Sequence, residues 1–130
     1  MDQDRGKNDK DKIEHTLMRE RFLEACVRLK DAQTAIHDVN VFKGFYGGDI
    51  VDVKDFHVLR LLTRIISEVG EFLGYYSAVT STSSNLSKEL ADIVITTLDL
   101  AQFLNLDVGS SMISKMLHDK DRGFRHGKRL

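Results

Sequence analysis

Two acidic pairs on otherwise apolar segments are the feature that most constrains how this chain can fold. Glu68 and Glu71 form the first pair, and Glu89 and Asp92 form the second. Residues i and i+3 share one face of an α-helix, so each pair predicts a stripe of carboxylates. Carboxylates that converge from two packed helices are costly to bury unless cations neutralise them. Because hard divalent ions prefer oxygen ligands, the pattern indicates a site for Mg²⁺ or Mn²⁺.

Apolar residues recur at helical spacing in four segments, which predicts an all-α protein. The predicted helices are residues 13–39, 55–79, 87–104 and 108–119. Asp55 and Asp107 are predicted to be the N-caps of the second and fourth helices. The chain contains no proline, and its connections are short. These features favour an antiparallel bundle of about four helices, completed by oligomerisation.

The helical domain is predicted to span residues 13–119, between two charged ends. Residues 1–12 are mostly charged or polar and are expected to form a disordered arm, and residues 120–130 form a basic tail. The formal net charge of −1 gives no sign of a nucleic-acid or membrane partner, and we expect neither. Cys26 is the single cysteine, and no apolar run is long enough for a membrane span. We therefore expect a cytoplasmic protein.

The predicted third helix is apolar nearly all the way round, which is typical of a central, buried helix. Most of its polar residues fall on one stripe, which consists of Glu89, Asp92, Thr96 and Asp99. On the second helix, Glu68 and Glu71 share a stripe with Arg64 and Tyr75. Because one acidic pair lies on a helix that is expected to be buried, we expect its carboxylates to face a polar site inside the protein.

Three other interpretations of the acidic pairs were weighed. They could be solvated helix faces bridged to lysines, which the second helix alone would allow. A di-iron bundle needs Glu-x-x-His pairs, and no histidine of this chain follows a glutamate at that spacing. A zinc site needs histidine or cysteine ligands at suitable spacing, and the chain has no such set. A hard divalent ion is therefore the favoured occupant.

Four motifs follow one another along the second half of the chain. They are Ser67-Glu-Val-Gly-Glu71, Glu89-Leu-Ala-Asp92-Ile-Val-Ile, Ile113-Ser-Lys-Met116 and Arg125-His-Gly-Lys128. In this order they resemble the MazG-like family of all-α nucleoside triphosphate pyrophosphohydrolases, over about residues 56–128. The resemblance implies a Mg²⁺-dependent enzyme, with Mn²⁺ as a substitute. Such an enzyme cleaves a ribo- or deoxyribonucleoside triphosphate to monophosphate and pyrophosphate, in nucleotide pool house-cleaning. It also implies a homodimer or a homotetramer.

The resemblance assigns roles to particular residues. The metal ligands would be Glu68, Glu71, Glu89 and Asp92. Glu71 would also be the catalytic base that takes a proton from water. Lys115 and Arg122 would bind phosphate oxygens of the substrate. The aromatic rings of Tyr75 and His57 are expected to supply surface on which a base can stack.

Two positions depart from the family pattern. Ser67 replaces a glutamate that many members carry, and Asp119 replaces an asparagine that follows the lysine by four residues. The first departure bears on the number of bound metals, and the second on a phosphate contact. They leave open an alternative function, in which the chain is a non-catalytic helical module that binds nucleotide or metal and regulates a partner.

Overall fold

The computed structural model describes residues 2–47 and 54–118. This part of the chain forms four α-helices and no β-strand. The helices are α1 (Asp2–Phe42), α2 (Lys54–Ser77), α3 (Ser83–Phe103) and α4 (Val108–Ile113), and a π-helical segment (Ser114–His118) follows α4. The prediction of an all-α protein is confirmed. The predicted basic tail, residues 120–130, lies outside the described residues.

Several helix boundaries differ from those predicted. Helix α1 begins at Asp2, so residues 2–12, predicted to be a disordered arm, are helical here. Their sequence contains no proline, and its charged residues are compatible with an exposed helix. Helix α3 begins four residues early because the Thr82 hydroxyl accepts a hydrogen bond from the Asn85 N–H, at 3.2 Å. Asp55 lies inside the first turn of α2 and is not its cap, whereas Asp107 caps α4 as predicted.

The chain divides into two compact units, of which the first contains residues 2–31 and 107–118. Within it, the start of α4 packs closely against α1. A Cβ atom added to Gly109 would overlap the main-chain carbonyl of Cys26. Cys26 and Gly109 are both buried. Only glycine therefore allows α4 to approach α1 at this point.

The second unit contains residues 32–106 and carries the acidic pairs. Within it, α2 and α3 run antiparallel, because positions later on α2 lie beside positions earlier on α3. The His57 ring lies 5.5 Å from the Phe103 ring, whereas Glu68, eleven residues further on, groups with Asp92. The end of α1 joins this bundle through Gln33, a fully buried residue that donates a hydrogen bond to the Leu106 carbonyl at 2.6 Å.

The expectation that α3 is buried all round is wrong for the single chain. Its inward residues Leu98 and Ala101 are buried, but Leu90 and Val94 are about half exposed. The physical reason is that the described part of one chain covers only some of the apolar circumference of α3. None of the helices in the described ranges combines the length and the apolarity that a membrane span requires.

Candidate metal centre

Three carboxylates from two helices converge in the second unit. Glu68 of α2 and Glu89 and Asp92 of α3 each place one oxygen atom within 4.8 Å of the other two. The spacing of three residues puts Glu89 and Asp92 on one face of α3, and the antiparallel packing brings Glu68 to that face. Glu68 is buried, at 9% exposure, and the other two are half-buried. The structure therefore brings together three of the four predicted ligands.

Glu71, the fourth predicted ligand, lies beside Glu89 but outside that group of three. Burial, followed by the neighbouring carboxylates of Glu71, Glu68 and Asp92, raises the pKa of Glu89 above its ordinary value. The Oε2 atom of Glu89 is buried and has no hydrogen-bond partner in the described part of the chain. Four acidic groups thus crowd together, and one of their buried oxygen atoms lacks a protein donor.

A protein cation partly balances this acidic group. The Arg64 Nε atom donates to Glu68 Oε1 at 3.4 Å, one helical turn away along α2. A single guanidinium carries one positive charge, and its side chain is 45% exposed, so solvent screens the pair. The contact agrees in part with the interpretation of α2 as a bridged surface helix. The contact between Arg64 and Glu68 provides no countercharge to Glu89 or Asp92.

The donor set of the acidic group fits a metal ion. Every donor in it is a carboxylate oxygen, with no histidine or cysteine among the three converging residues. Hard cations such as Mg²⁺, Mn²⁺ and Ca²⁺ take oxygen ligands of this kind. The unpartnered Glu89 Oε2 atom is an available ligand. Glu68, Glu89 and Asp92 therefore form an acidic cluster that can hold a metal ion.

A second buried acid lies further along the same stripe of α3. Asp99 is only 2% exposed. Its Oδ1 atom lies 2.7 Å from His37 Nδ1, and its Oδ2 atom accepts a hydrogen bond from Asn40 Nδ2 at 2.8 Å. The sequence analysis placed Asp99 on the stripe but missed both partners, because they lie on α1, about sixty residues away. Local spacing carries no signal for a contact at that separation.

His57, predicted to bind substrate, lies in a buried aromatic cluster. It is 5% exposed, and its ring lies 4.9 Å from Tyr46 and 5.5 Å from Phe103. Burial, followed by the charge of Arg60, lowers the pKa of His57. His57 precedes Glu68 by eleven residues, or about 16 Å along the helix axis. The structure thus places His57 on α2 but not beside the carboxylates.

Tyr46 links this aromatic cluster to Asp99. Its ring stacks on Phe103 at 5.2 Å, and Arg60 lies over the ring at 5.4 Å from its centroid. Burial, followed by the nearby Asp99 carboxylate, raises the pKa of Tyr46. The sequence around Tyr46 carries no signal for this contact, because Asp99 and Phe103 lie on α3. Tyr46 is half-buried and packs between the rings of His57 and Phe103.

The remaining predicted substrate-binding residues are spread along the chain. Tyr75 lies one helical turn beyond Glu71 on α2 and is 43% exposed. Lys115 is exposed on the π-helical segment of the first unit. Arg122 and Asp119 lie outside the described residues. The roles of Tyr75, His57, Lys115 and Arg122 in substrate binding stay predictions, as does metal ligation by Glu71.

Comparisons of this chain with protein families, with curated proteins and with solved structures give no match. The findings therefore define an all-α protein with an acidic cluster that can hold a metal ion. The resemblance to the MazG-like family rests on the four motifs alone.

Proposed function

We propose that this protein is a Mg²⁺-dependent nucleoside triphosphate pyrophosphohydrolase. The observation that carries the proposal is the acidic cluster of Glu68, Glu89 and Asp92, whose oxygen atoms lie within 4.8 Å of one another. Glu89 Oε2 is buried and has no donor among the described residues, which makes such a group costly until a cation binds. A triphosphate is a highly charged anion. A site that binds it beside carboxylates therefore needs divalent cations between the phosphates and the carboxylates.

The proposed reaction adds water across the bond between the α- and β-phosphates. Its products are a nucleoside monophosphate and pyrophosphate. Glu68, Glu89 and Asp92 would hold a divalent ion, which would offset the charge of the polyphosphate and make water more acidic. Glu71 lies beside Glu89 but outside the group of three. That position suits a carboxylate that takes the proton from the attacking water, the role assigned to Glu71.

The motifs support the choice of substrate. The cluster is built from the two motifs that carry the resemblance to the family, Ser67–Glu71 and Glu89–Ile95. Tyr75 lies on the same face of α2 as Glu68 and Glu71 and leaves ring surface exposed on which a base can stack. Lys115 and Arg122 would provide positive charge for the phosphate oxygens.

The test is release of pyrophosphate from a panel of ribo- and deoxyribonucleoside triphosphates, with Mg²⁺, with Mn²⁺ and with EDTA. We expect metal-dependent release. We expect Glu89→Gln to lower kcat/KM by a factor on the order of 1,000, because the metal ion that would stabilise the developing charge loses one of its ligands. Asp107→Asn is the matched control. It also converts a carboxylate to an amide, but asparagine caps a helix as well as aspartate does.

Turnover that persists in EDTA, or in Glu89→Gln at the level of Asp107→Asn, would contradict the proposal. If the folded protein releases no pyrophosphate but calorimetry shows that it binds Mg²⁺, the result favours the alternative function. The chain would then be a module that binds metal or nucleotide and regulates a partner. Ser67, which stands where many family members have a glutamate, is the feature of the chain that favours this alternative.

A further inference from the structure

Arg64 is a cation at the edge of the acidic cluster. Its Nε atom donates to Glu68 Oε1 at 3.4 Å, and its side chain is 45% exposed, whereas Glu68 is buried. At about 100° per residue, Glu68 is turned by about 40° from Arg64 around the helix axis, and Glu71 by about 20°. The guanidinium therefore lies on the same face of α2 as both carboxylates, and it is open to solvent there.

The contact between Arg64 and Glu68 is poorly suited to a purely structural role. At a spacing of four residues, a helical ion pair is more favourable when the acid precedes the base, and here the base comes first. The distance of 3.4 Å is long for a charge-assisted hydrogen bond, which is typically about 2.7–2.9 Å. An ion pair with a partner this exposed adds little to stability. The fold therefore has little need of an arginine at this position.

A second arginine on the same face of α2 is engaged elsewhere. Arg60 lies over the Tyr46 ring, at 5.4 Å from its centroid, and its Nη2 atom lies 3.4 Å from His57 Nδ1. By contrast, the hydrogen bond from Nε is the one that Arg64 makes within the described residues. The two Nη groups of Arg64 are therefore available as donors, beside carboxylates that can hold a metal ion.

We propose that Arg64 is a phosphate-binding residue, which leaves Glu68 and donates to phosphate oxygens when a polyphosphate binds with a divalent ion. This inference rests on the proposed function, because it assumes that the metal centre receives a polyphosphate. The planar guanidinium matches phosphate oxygens with a fork of donors, and such bonds are strong. Glu68 holds Arg64 less firmly when the same carboxylate also serves a divalent ion, because the two cations compete for it and repel each other.

The proposal predicts opposite effects of Arg64 on two ligands. Toward Mg²⁺ alone, Arg64 is a like charge beside the carboxylates, so its removal should strengthen binding. Toward a polyphosphate that binds with Mg²⁺, Arg64 is a donor, so its removal should weaken binding. A residue that only stabilises α2 would not shift the two affinities in opposite directions. The pair of signs therefore distinguishes phosphate binding from a structural role.

The test is isothermal titration calorimetry of the full chain with Mg²⁺ alone, and with pyrophosphate in the presence of Mg²⁺. We expect Arg64→Gln to bind Mg²⁺ about two- to fivefold more tightly, a small effect because solvent screens the charge. We expect it to bind pyrophosphate about 10- to 100-fold more weakly, because a charge-assisted contact is lost. Arg64→Lys keeps the charge but not the fork, so it should recover part of the pyrophosphate affinity.

Lys88→Gln is the matched control, because it also removes one positive charge near the cluster. Lys88 is exposed and next to Glu89 in sequence, but its side chain leaves α3 about 100° away from that of Glu89. We expect Lys88→Gln to bind both ligands as the wild type does. Equal losses of pyrophosphate affinity in Arg64→Gln and Lys88→Gln overturn the inference, because the effect would then follow overall charge.

A wild type that binds no pyrophosphate with Mg²⁺ overturns the inference. So does an Arg64→Gln protein with unchanged pyrophosphate affinity, or with weaker binding of Mg²⁺ alone. If Arg64→Gln does not fold by circular dichroism, Arg64→Lys decides, and an unchanged pyrophosphate affinity in that variant overturns the inference.

These affinities need no turnover, so the inference and the proposed activity can fail separately. Pyrophosphate release by the wild type, with no loss of affinity in Arg64→Gln, would overturn the role of Arg64 alone. Absence of release, with the expected loss of affinity, would overturn the enzymatic activity and support phosphate binding by Arg64.

Discussion

Helix α3 carries acids in two places, with Asp99 buried at one and Glu89 and Asp92 half-buried at the other, and the two places differ in their hydrogen-bond donors. At one end of the stripe, Asp99 receives a hydrogen bond from Asn40 and contacts His37 Nδ1 at 2.7 Å. At the other end, Glu89 and Asp92 face further carboxylates, and Glu89 Oε2 has no donor in the described part of the chain. A buried carboxylate with its own donors stabilises the fold. A buried carboxylate without them destabilises it until a ligand arrives, which is typical of a functional site.

The sharpest test of this difference removes one negative charge at each place. Asp99→Asn leaves one acceptor oxygen where Asp99 has two, so His37 and Asn40 cannot both keep a carboxylate oxygen, and we expect the free energy of unfolding to fall by about 2–3 kcal/mol. Glu89→Gln makes the same chemical change on the same helix. Because it relieves repulsion from Glu71, Glu68 and Asp92, we expect it to raise the stability of the metal-free protein.

Urea unfolding in EDTA, followed by circular dichroism, measures both effects. The comparison fails if the two variants shift stability in the same direction. A loss in Glu89→Gln as large as that in Asp99→Asn would mean that the protein itself satisfies the Glu89 carboxylate.

Addition of metal should again distinguish Asp99 from the acidic cluster, this time by the gain in melting temperature. A ligand that binds only the folded protein, at a hundred times its Kd, stabilises that protein by about 2.7 kcal/mol. We expect Mg²⁺ to raise the melting temperature of the wild type and of Asp99→Asn by similar amounts. Glu89→Gln should gain little, because it lacks a ligand. Differential scanning calorimetry with and without Mg²⁺ gives the answer, and equal gains in all three proteins would remove Glu89 from the metal centre.

The smallest expected effect concerns pH and the aromatic cluster beside Asp99. The pKa of His57 is lowered in the folded protein by burial and by Arg60, from an ordinary value of 6.5. The unfolded chain therefore takes up a proton from His57 as the pH falls through 6.5, whereas the folded protein does so only at lower pH. The His57 contribution to stability is complete above that pH and declines below it, until the folded pKa is reached.

We expect His57→Gln to flatten this decline, and His15→Gln, at an exposed histidine of α1, to leave it unchanged. Unfolding free energies of the three proteins at several values between about pH 5 and 7 provide the measurement. The groups that face His57 are the guanidinium of Arg60 and the phenol of Tyr46, and the raised pKa of Tyr46 keeps the phenol neutral over that range. A His57→Gln curve parallel to that of the wild type would show that His57 does not titrate in this way.

Much of the fold follows from local pattern. The helical periodicity of the chain predicts its class, and Asp107 caps α4 as its side-chain chemistry suggests. The spacing of the acidic pairs predicts four converging carboxylates, of which three do converge. The helical class and the cap depend on residues within one or two turns of a helix, whereas the convergence also depends on the packing of α2 against α3.

The sequence predictions fail where the structure depends on contacts between residues that are far apart in the chain. Nothing in the spacing of α3 distinguishes Asp99 from Asp92, because the donors that satisfy Asp99 come from α1. Periodicity identifies Leu90 and Val94 as apolar but cannot say whether the surface that covers them belongs to the same chain. The early start of α1 shows that charged residues without a breaker can extend a helix beyond its apolar stretch.

The contact between α4 and α1 makes position 109 a place of unusually low mutational tolerance. A main-chain carbonyl of Cys26 occupies the space that any Cβ atom at residue 109 would need. The obstacle is backbone and cannot turn aside as a side chain would, so even alanine would force α4 away from α1. Gly70 and Gly74 have open space at the same atom and accept side chains in the isolated chain. Across a library of single substitutions, Gly109 should be the least tolerant of the glycines in the described part of the chain.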